Sequence, residues 1–120
     1  MAKTILTVDD SASMRQMVLF TLHGAGYEVV QACDGVEALD IARQSAVDLV
    51  LTDVHMPRMD GITLVRELRN LLDYKLVPML ILTTESSQER KMEGKQAGAT
   101  GWIVKPFNPP QLLATVARVI

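Results

Sequence analysis

The chain has 120 residues, 48% hydrophobic and 22% charged, a composition suited to one globular domain with a core of its own. A chain of this size buries about 60–70% of its unfolded surface and needs neither disulfides nor a structural metal to fold. Its 12 basic and 14 acidic residues give a net charge of −2, which argues against a broad basic surface for nucleic acid or an anionic membrane.

Short apolar runs alternate with amphipathic stretches along the whole chain. Met1-Ala2-Lys3 leads directly into a strand-like run, Thr4–Val8, so no signal peptide is expected and the cytoplasm is the expected location. Met14, Met17, Val18, Thr21, Leu22 and Ala25 follow helical spacing and predict a buried stripe. Gly24 and Gly26 close that helix, and His23 suits its C-terminal dipole.

A second strand is predicted over Val29–Cys33, with Cys33 as a small core residue. As the single cysteine, it has no partner for an internal disulfide, which fits a reducing compartment. Asp34-Gly35-Val36-Glu37 reads as a capping box opening a helix through Arg43. Asp48 reads as a turn residue before the strand Leu49–Thr52. Asp60-Gly61 starts the next helix, with Ile62, Val65 and Leu68 inward.

Leu76 to Leu82 is the longest apolar run. Pro78 interrupts it, and it falls far short of the roughly 20 residues of a membrane-spanning helix. Within it a strand is predicted over Pro78–Thr83. Ser86-Ser87-Gln88-Glu89 reads as a second capping box, and Gly98 ends its helix. The mixed charges Glu89, Arg90, Lys91, Glu93 and Lys95 read as a solvated face, with partner docking as the alternative. The last strand is Gly101–Val104. Asn108 and Pro109 then open a helix whose apolar face is Leu112, Leu113, Val116 and Ile120.

This is a βα unit repeated five times, which predicts a parallel sheet covered by helices on both faces. Residues 4–8, 49–52 and 78–83 are nearly all apolar, as central strands should be, whereas the second run is more polar and the fifth is short. With those two at the edges, the simplest order is 2-1-3-4-5, a flavodoxin-like doubly wound sheet. Ligands of such sheets bind at the carboxyl ends of the strands, where the order reverses between strands 1 and 3.

The residues at those ends carry chemistry. Asp9 and Asp10 follow strand 1, Asp53 follows strand 3, Thr83, Thr84 and Glu85 end strand 4, and Lys105-Pro106-Phe107 follows strand 5. Three carboxylates in one crevice repel one another, and a hard cation with oxygen ligands relieves the repulsion; Mg²⁺ fits. Adding a lysine and a hydroxyl gives a set able to stabilise a transferring phosphoryl group, with a carboxylate as nucleophile. Asp9 and Asp10 are adjacent and suit the metal. Asp53 stands alone beside Thr83 and is the expected acceptor.

Asp9-Asp10, Asp53-Val54-His55-Met56-Pro57, Thr83 and Lys105-Pro106-Phe107 resemble, in order and spacing, the receiver domain of two-component response regulators. The resemblance runs from Thr4 to the last helix. Since the five βα units use up residues 1–120, a single receiver domain with no output domain is expected, most similar to the stand-alone chemotaxis regulators. The resemblance implies that Asp53 accepts a phosphoryl group from the phosphohistidine of a sensor histidine kinase. Asp10, Asp53 and the His55 backbone carbonyl would ligate Mg²⁺, with Asp9 acting through water. Lys105 and Thr83 would contact phosphoryl oxygens. Trp102 stands at the switch position, where the family usually carries Tyr or Phe; its larger ring and indole N–H need space and an acceptor. His55 and Glu85 occupy positions that tune autodephosphorylation in the family, and they are placed to pair across the site. The implied partners of a monomer are the kinase, a flagellar motor switch protein and a phosphatase, with no nucleic acid and no membrane.

Two alternatives within the family stay open, and readings outside it fit less well. A phosphate-sink receiver or a single-domain regulator outside motility shares every one of these residues. A phosphatase of the haloacid-dehalogenase type wants Asp-x-Asp where this chain reads Asp53-Val54-His55. A flavin carrier of flavodoxin type wants a Ser/Thr/Gly-rich phosphate loop where this chain has two aspartates. No P-loop motif occurs, which argues against nucleoside triphosphate hydrolysis. Asp48 and Asp60 are expected in turns and caps, and His55 is not expected to ligate metal through its side chain.

Overall fold

The computed structural model describes residues 2–120. The elements in chain order are β1 (Thr4–Val8), α1 (Ala12–Gly24), β2 (Glu28–Ala32), α2 (Gly35–Gln44), β3 (Leu49–Thr52), α3 (Gly61–Arg69), β4 (Met79–Thr83), α4 (Gln88–Ala97), β5 (Gly101–Val104) and α5 (Pro109–Val119), with a 3₁₀ turn at Leu72–Tyr74. All pairings are parallel and the sheet order is β2-β1-β3-β4-β5, the expected doubly wound arrangement.

The period of two along each strand divides the core into two layers. Ile5, Leu49, Leu51, Leu80 and Leu82 point to one face, where Val18 and Leu22 of α1 and Leu112 and Val116 of α5 cover them. Leu6, Val8, Val50, Met79 and Ile81 point to the other, under α2, α3 and α4. The central strands β1, β3 and β4 are therefore apolar on both sides, while β2 and β5 are only partly buried.

The predicted caps hold at Asp34, Asp60 and Asn108, each of which accepts a hydrogen bond from the backbone N–H three residues on. Gly98 ends α4 in the left-handed conformation. Asp48 takes the Thr4 N–H at 2.7 Å, in keeping with a turn role.

Five local expectations are corrected. The α4 cap is Ser87, not Ser86: its hydroxyl accepts from the Arg90 N–H, and the reciprocal carboxylate is Glu85, which accepts the Ser87 N–H. Met17 is exposed, because α1 lies over β1 and the edge strand β2 and buries only a narrow line through Val18 and Leu22. Cys33 is exposed: β2 ends at Ala32, which puts Cys33 in the turn at the sheet edge, its N–H bonded to Glu37. β2 begins one residue early, at Glu28, and β4 one residue late, at Met79, with the Pro78 carbonyl still accepting from the Val50 N–H.

Candidate functional site

Strand register builds the site. Val8 pairs with Thr52, so Asp9 and Asp53 leave the sheet side by side, and the Asp53 N–H donates to the Val8 carbonyl at 2.9 Å. Thr83 pairs with Val104, so Lys105 leaves β5 beside the end of β4. Lys105 then reaches back across the sheet end, placing Nζ 2.8 Å from Asp9 Oδ2 and 2.9 Å from Asp53 Oδ2. All three side chains are about nine-tenths buried.

The remaining carboxylate oxygens are held by backbone. Asp53 Oδ1 accepts the Val54 N–H at 2.6 Å and, more loosely, the His55 N–H at 3.4 Å. Asp9 Oδ1 accepts the Ser11 N–H at 2.9 Å. Gly61 is required here: a Cβ on it would lie 1.8 Å from the Asp53 carbonyl oxygen, so only glycine lets α3 start this close to the end of β3.

These contacts set the charge state. Burial pushes the Asp53 carboxyl up, but the Lys105 ammonium, the Thr83 hydroxyl and the Val54 N–H outweigh it and hold the group below the usual carboxylate range. Burial likewise disfavours the Lys105 ammonium, and Asp9 and Asp53 outweigh that, so its pKa is raised. Asp53 is thus held as an oriented carboxylate with a cation beside it.

Asp10 is exposed, and one carboxylate oxygen from each of Asp9, Asp10 and Asp53 lies within 4.8 Å of the others. This all-oxygen anionic set, open on the Asp10 side, suits a hard divalent cation and offers nothing to a soft one. The donor set therefore fits the Mg²⁺ expected from the sequence.

Thr83 is fully buried at the end of β4, and its hydroxyl accepts the Glu85 N–H at 3.2 Å. His55 Nε2 lies 3.4 Å from Glu85 Oε1, so the expected cross-site pair is present at the exposed mouth. The Glu85 carboxyl is held below its usual value mainly by the Ser87 N–H, with His55 a smaller cause. Trp102 stands apart from the carboxylates. Its ring lies against Gly94, and its indole N–H donates to the Glu85 carbonyl at 3.0 Å, which supplies both the space and the acceptor that its size demands.

Sequence reasoning missed two arginines at the site. Arg15 donates from Nη1 to the Asp9 carbonyl at 2.7 Å, and its place in the first turns of α1, six residues on from Asp9, was a usable signal. Arg58 pairs with Asp34 across the β3–α3 loop, and nothing in the sequence pattern marks that contact.

The comparisons with known proteins agree with this geometry. Residues 5–117 match the response regulator receiver domain family. The fold superposes with a TM-score of 0.96 on the chemotaxis protein CheY4 of Vibrio cholerae, at 52% identity over 100% of both chains. The receiver domain of sensor histidine kinase PA1611 from Pseudomonas aeruginosa PAO1, solved with a magnesium ion in its active-site cleft, superposes with a TM-score of 0.92 at 28% identity, over 99% of this chain and 98% of that one. A probable transcriptional regulator, ycf27, of Porphyridium aerugineum is 40% identical over 97% of this chain but only 47% of its own length. The chain thus spans about half the length of the curated relatives it matches. No helix among the described residues is long and apolar enough to cross a membrane. Sheet order, site chemistry and full-length similarity lead to one conclusion: the chain belongs to the response regulator receiver domain family, a family of phospho-accepting signalling domains rather than catalytic enzymes.

Proposed function

We propose that Asp53 is the phosphoacceptor of a receiver domain spanning residues 1–120, that its donor is the phosphohistidine of a sensor kinase, and that phosphorylation is read out by a partner protein. The observation that carries this reading is the buried Asp53 oxygen paired with Lys105 at 2.9 Å inside a three-carboxylate cluster. Asp53 Oδ2 attacks phosphorus; the new O–P bond forms as the bond to the donor breaks, and the donor leaves with that electron pair. Val54 and His55 hold the other oxygen and orient the attack. Lys105 transfers its contact from the carboxylate to a phosphoryl oxygen, and the Thr83 hydroxyl turns to bond another, giving up the Glu85 N–H.

Asp10, Asp53 and the His55 carbonyl would hold Mg²⁺, with Asp9 acting through water; bound there, the ion neutralises charge on the transferring group. The His55–Glu85 pair stands over the mouth and restricts attacking water, lengthening the life of the acyl phosphate. Trp102 senses the Thr83 rearrangement through Glu85. The full-length similarity to CheY4 supports a chemotaxis role with a flagellar motor switch protein and a phosphatase as partners, in the cytoplasm.

Labelling with acetyl phosphate tests the reading. Stoichiometric, Mg²⁺-dependent, base-labile phosphate is expected on the native chain and none on Asp53→Asn. Full labelling of that variant would move the acceptor elsewhere. Pull-down with and without a stable phosphoryl mimic would then identify the partner: capture of a motor protein only by the activated form supports chemotaxis, and its absence favours a phosphate sink.

A further inference from the structure

Among the described residues, Arg58 is the one non-glycine with positive φ, at +67°. A left-handed backbone is unfavourable for a long side chain, so the surrounding structure must hold it there. The hold is a two-pronged ion pair: Arg58 Nε donates to Asp34 Oδ2 at 2.9 Å and Nη2 to Asp34 Oδ1 at 3.1 Å. The acceptor is rigid. Asp34 is 5% exposed, caps α2 by accepting the Glu37 N–H at 2.9 Å, and is kept below the usual carboxylate range chiefly by that N–H and, after burial opposes it, by Arg58.

The next residue on each side completes the contact. A Cβ on Gly35 would lie 2.7 Å from both Cβ and the carbonyl oxygen of Met59, so the loop sits directly on the start of α2. At its far end the Gly61 N–H donates to the Val54 carbonyl at 2.9 Å. The segment between Asp53 and Gly61 is therefore tied at both ends and clamped in the middle. His55, the proposed source of the backbone metal ligand, lies inside it.

We propose that the Arg58–Asp34 pair is a positioning device for the divalent cation, fixing the β3–α3 loop so that the His55 carbonyl is set before the ion arrives. This rests on the reading of the carboxylate cluster as a Mg²⁺ site. Arg58 is a positioning residue: it touches neither the cation nor the phosphoryl group, and acts by restricting the backbone that carries a ligand.

The sign of the effect separates this role from simple electrostatics. Removing a positive charge near an acidic pocket, by Coulomb attraction alone, tightens cation binding. Loss of the clamp weakens it. Arg58→Gly removes the guanidinium while relieving the backbone conformation, so its melting temperature without metal should stay close to that of the native chain. Its Mg²⁺ dissociation constant, measured by calorimetry with the metal alone, should rise about tenfold. Arg58→Asn, which also tolerates positive φ but is too short for the two-pronged contact, should behave alike, and Arg58→Lys should recover part of the affinity. Unchanged or tighter binding in either Gly or Asn variant that melts normally would overturn the proposal. Absence of saturable Mg²⁺ binding by the native chain would instead sink the reading of the site itself, and the clamp with it.

Discussion

Replacing Gly94 with alanine tests whether Trp102 is locked in place. In an exposed helix interior this change stabilises a protein by about 0.5–1 kcal/mol, because glycine loses more backbone freedom on folding. Here the added Cβ would stand 2.8 Å from Trp102 Cζ3, 3.1 Å from Cε3 and 3.3 Å from Ile81 Cδ1. The indole cannot tilt away freely, since its N–H is bonded to the Glu85 carbonyl at 3.0 Å and its backbone is paired in β5. Overpacking of this kind costs about 1–3 kcal/mol, enough to reverse the helix gain and leave Gly94→Ala destabilising by about 1–2 kcal/mol. In a Trp102→Ala background only the 3.3 Å approach to the Ile81 side-chain end remains, and the same change should become stabilising by about 0.5 kcal/mol. Urea unfolding of the four proteins, followed by circular dichroism, gives the coupling directly; fluorescence cannot serve, because Trp102 is the single tryptophan. A stabilising Gly94→Ala in the native background, or no coupling between the sites, would refute the locked-ring argument.

Lys105→Met leaves two buried carboxylates facing each other, so stability should fall by about 3 kcal/mol and saturating Mg²⁺ should restore part of it, both read by urea unfolding. In the native chain, Mg²⁺ at about 100 times its dissociation constant should stabilise by about 2.7 kcal/mol, read as a rise in melting temperature. Asp34 binds its proton less tightly in the folded state than in the unfolded chain, so its contribution is present above the ordinary carboxylate range, about pH 4, and is lost as pH falls through the lower folded value. Asp34→Asn, which keeps a capping oxygen, should therefore flatten the acid limb of a stability–pH profile. Gly61→Ala drives a methyl into the Asp53 carbonyl, and a loss of about 3 kcal/mol in urea unfolding is expected, with Asp53 labelling lost alongside.

The strands were legible because burial on both faces leaves an unbroken apolar run, and the edges were legible because Glu28 and Gln31 break that pattern in β2. The site was legible for a related reason. In a parallel sheet the residue after each strand must emerge at one end, so Asp9, Asp53 and Lys105 had to converge whatever the helices did. Details fixed by helix rotation or by a choice between equivalent neighbours were not. Met17 and Val18 both satisfy a 3.6-residue period, and only the seat of α1 near the sheet edge decides between them. Ser86 and Ser87 are both good caps, and the choice falls to Ser87, where Glu85 can reach its N–H. Arg69 was invisible altogether: it donates to the carbonyls of Tyr74, Val77 and Gly98, tying two loops together through acceptors that every residue possesses.

On the proposed reading, Glu85 offers a change at Asp53 a short route to Trp102. Three groups of this one residue meet three different partners: its N–H donates to Thr83 Oγ1, its carboxylate faces His55, and its carbonyl accepts from the Trp102 indole. The N–H and the carbonyl belong to successive peptide planes joined at one Cα, so a displacement of that Cα carries both, while φ and ψ also let each plane turn by itself. On the proposed reading, Thr83 turning toward a phosphoryl oxygen gives up the N–H, and the freed backbone then moves the acceptor on which Trp102 depends. Gly94 lies against the ring, so the indole must either follow that carbonyl or leave its N–H unpaired, which is costly when partly buried. The coupling is thus a competition between one hydrogen bond and one tight contact, the second of which a Gly94–Trp102 mutant cycle isolates.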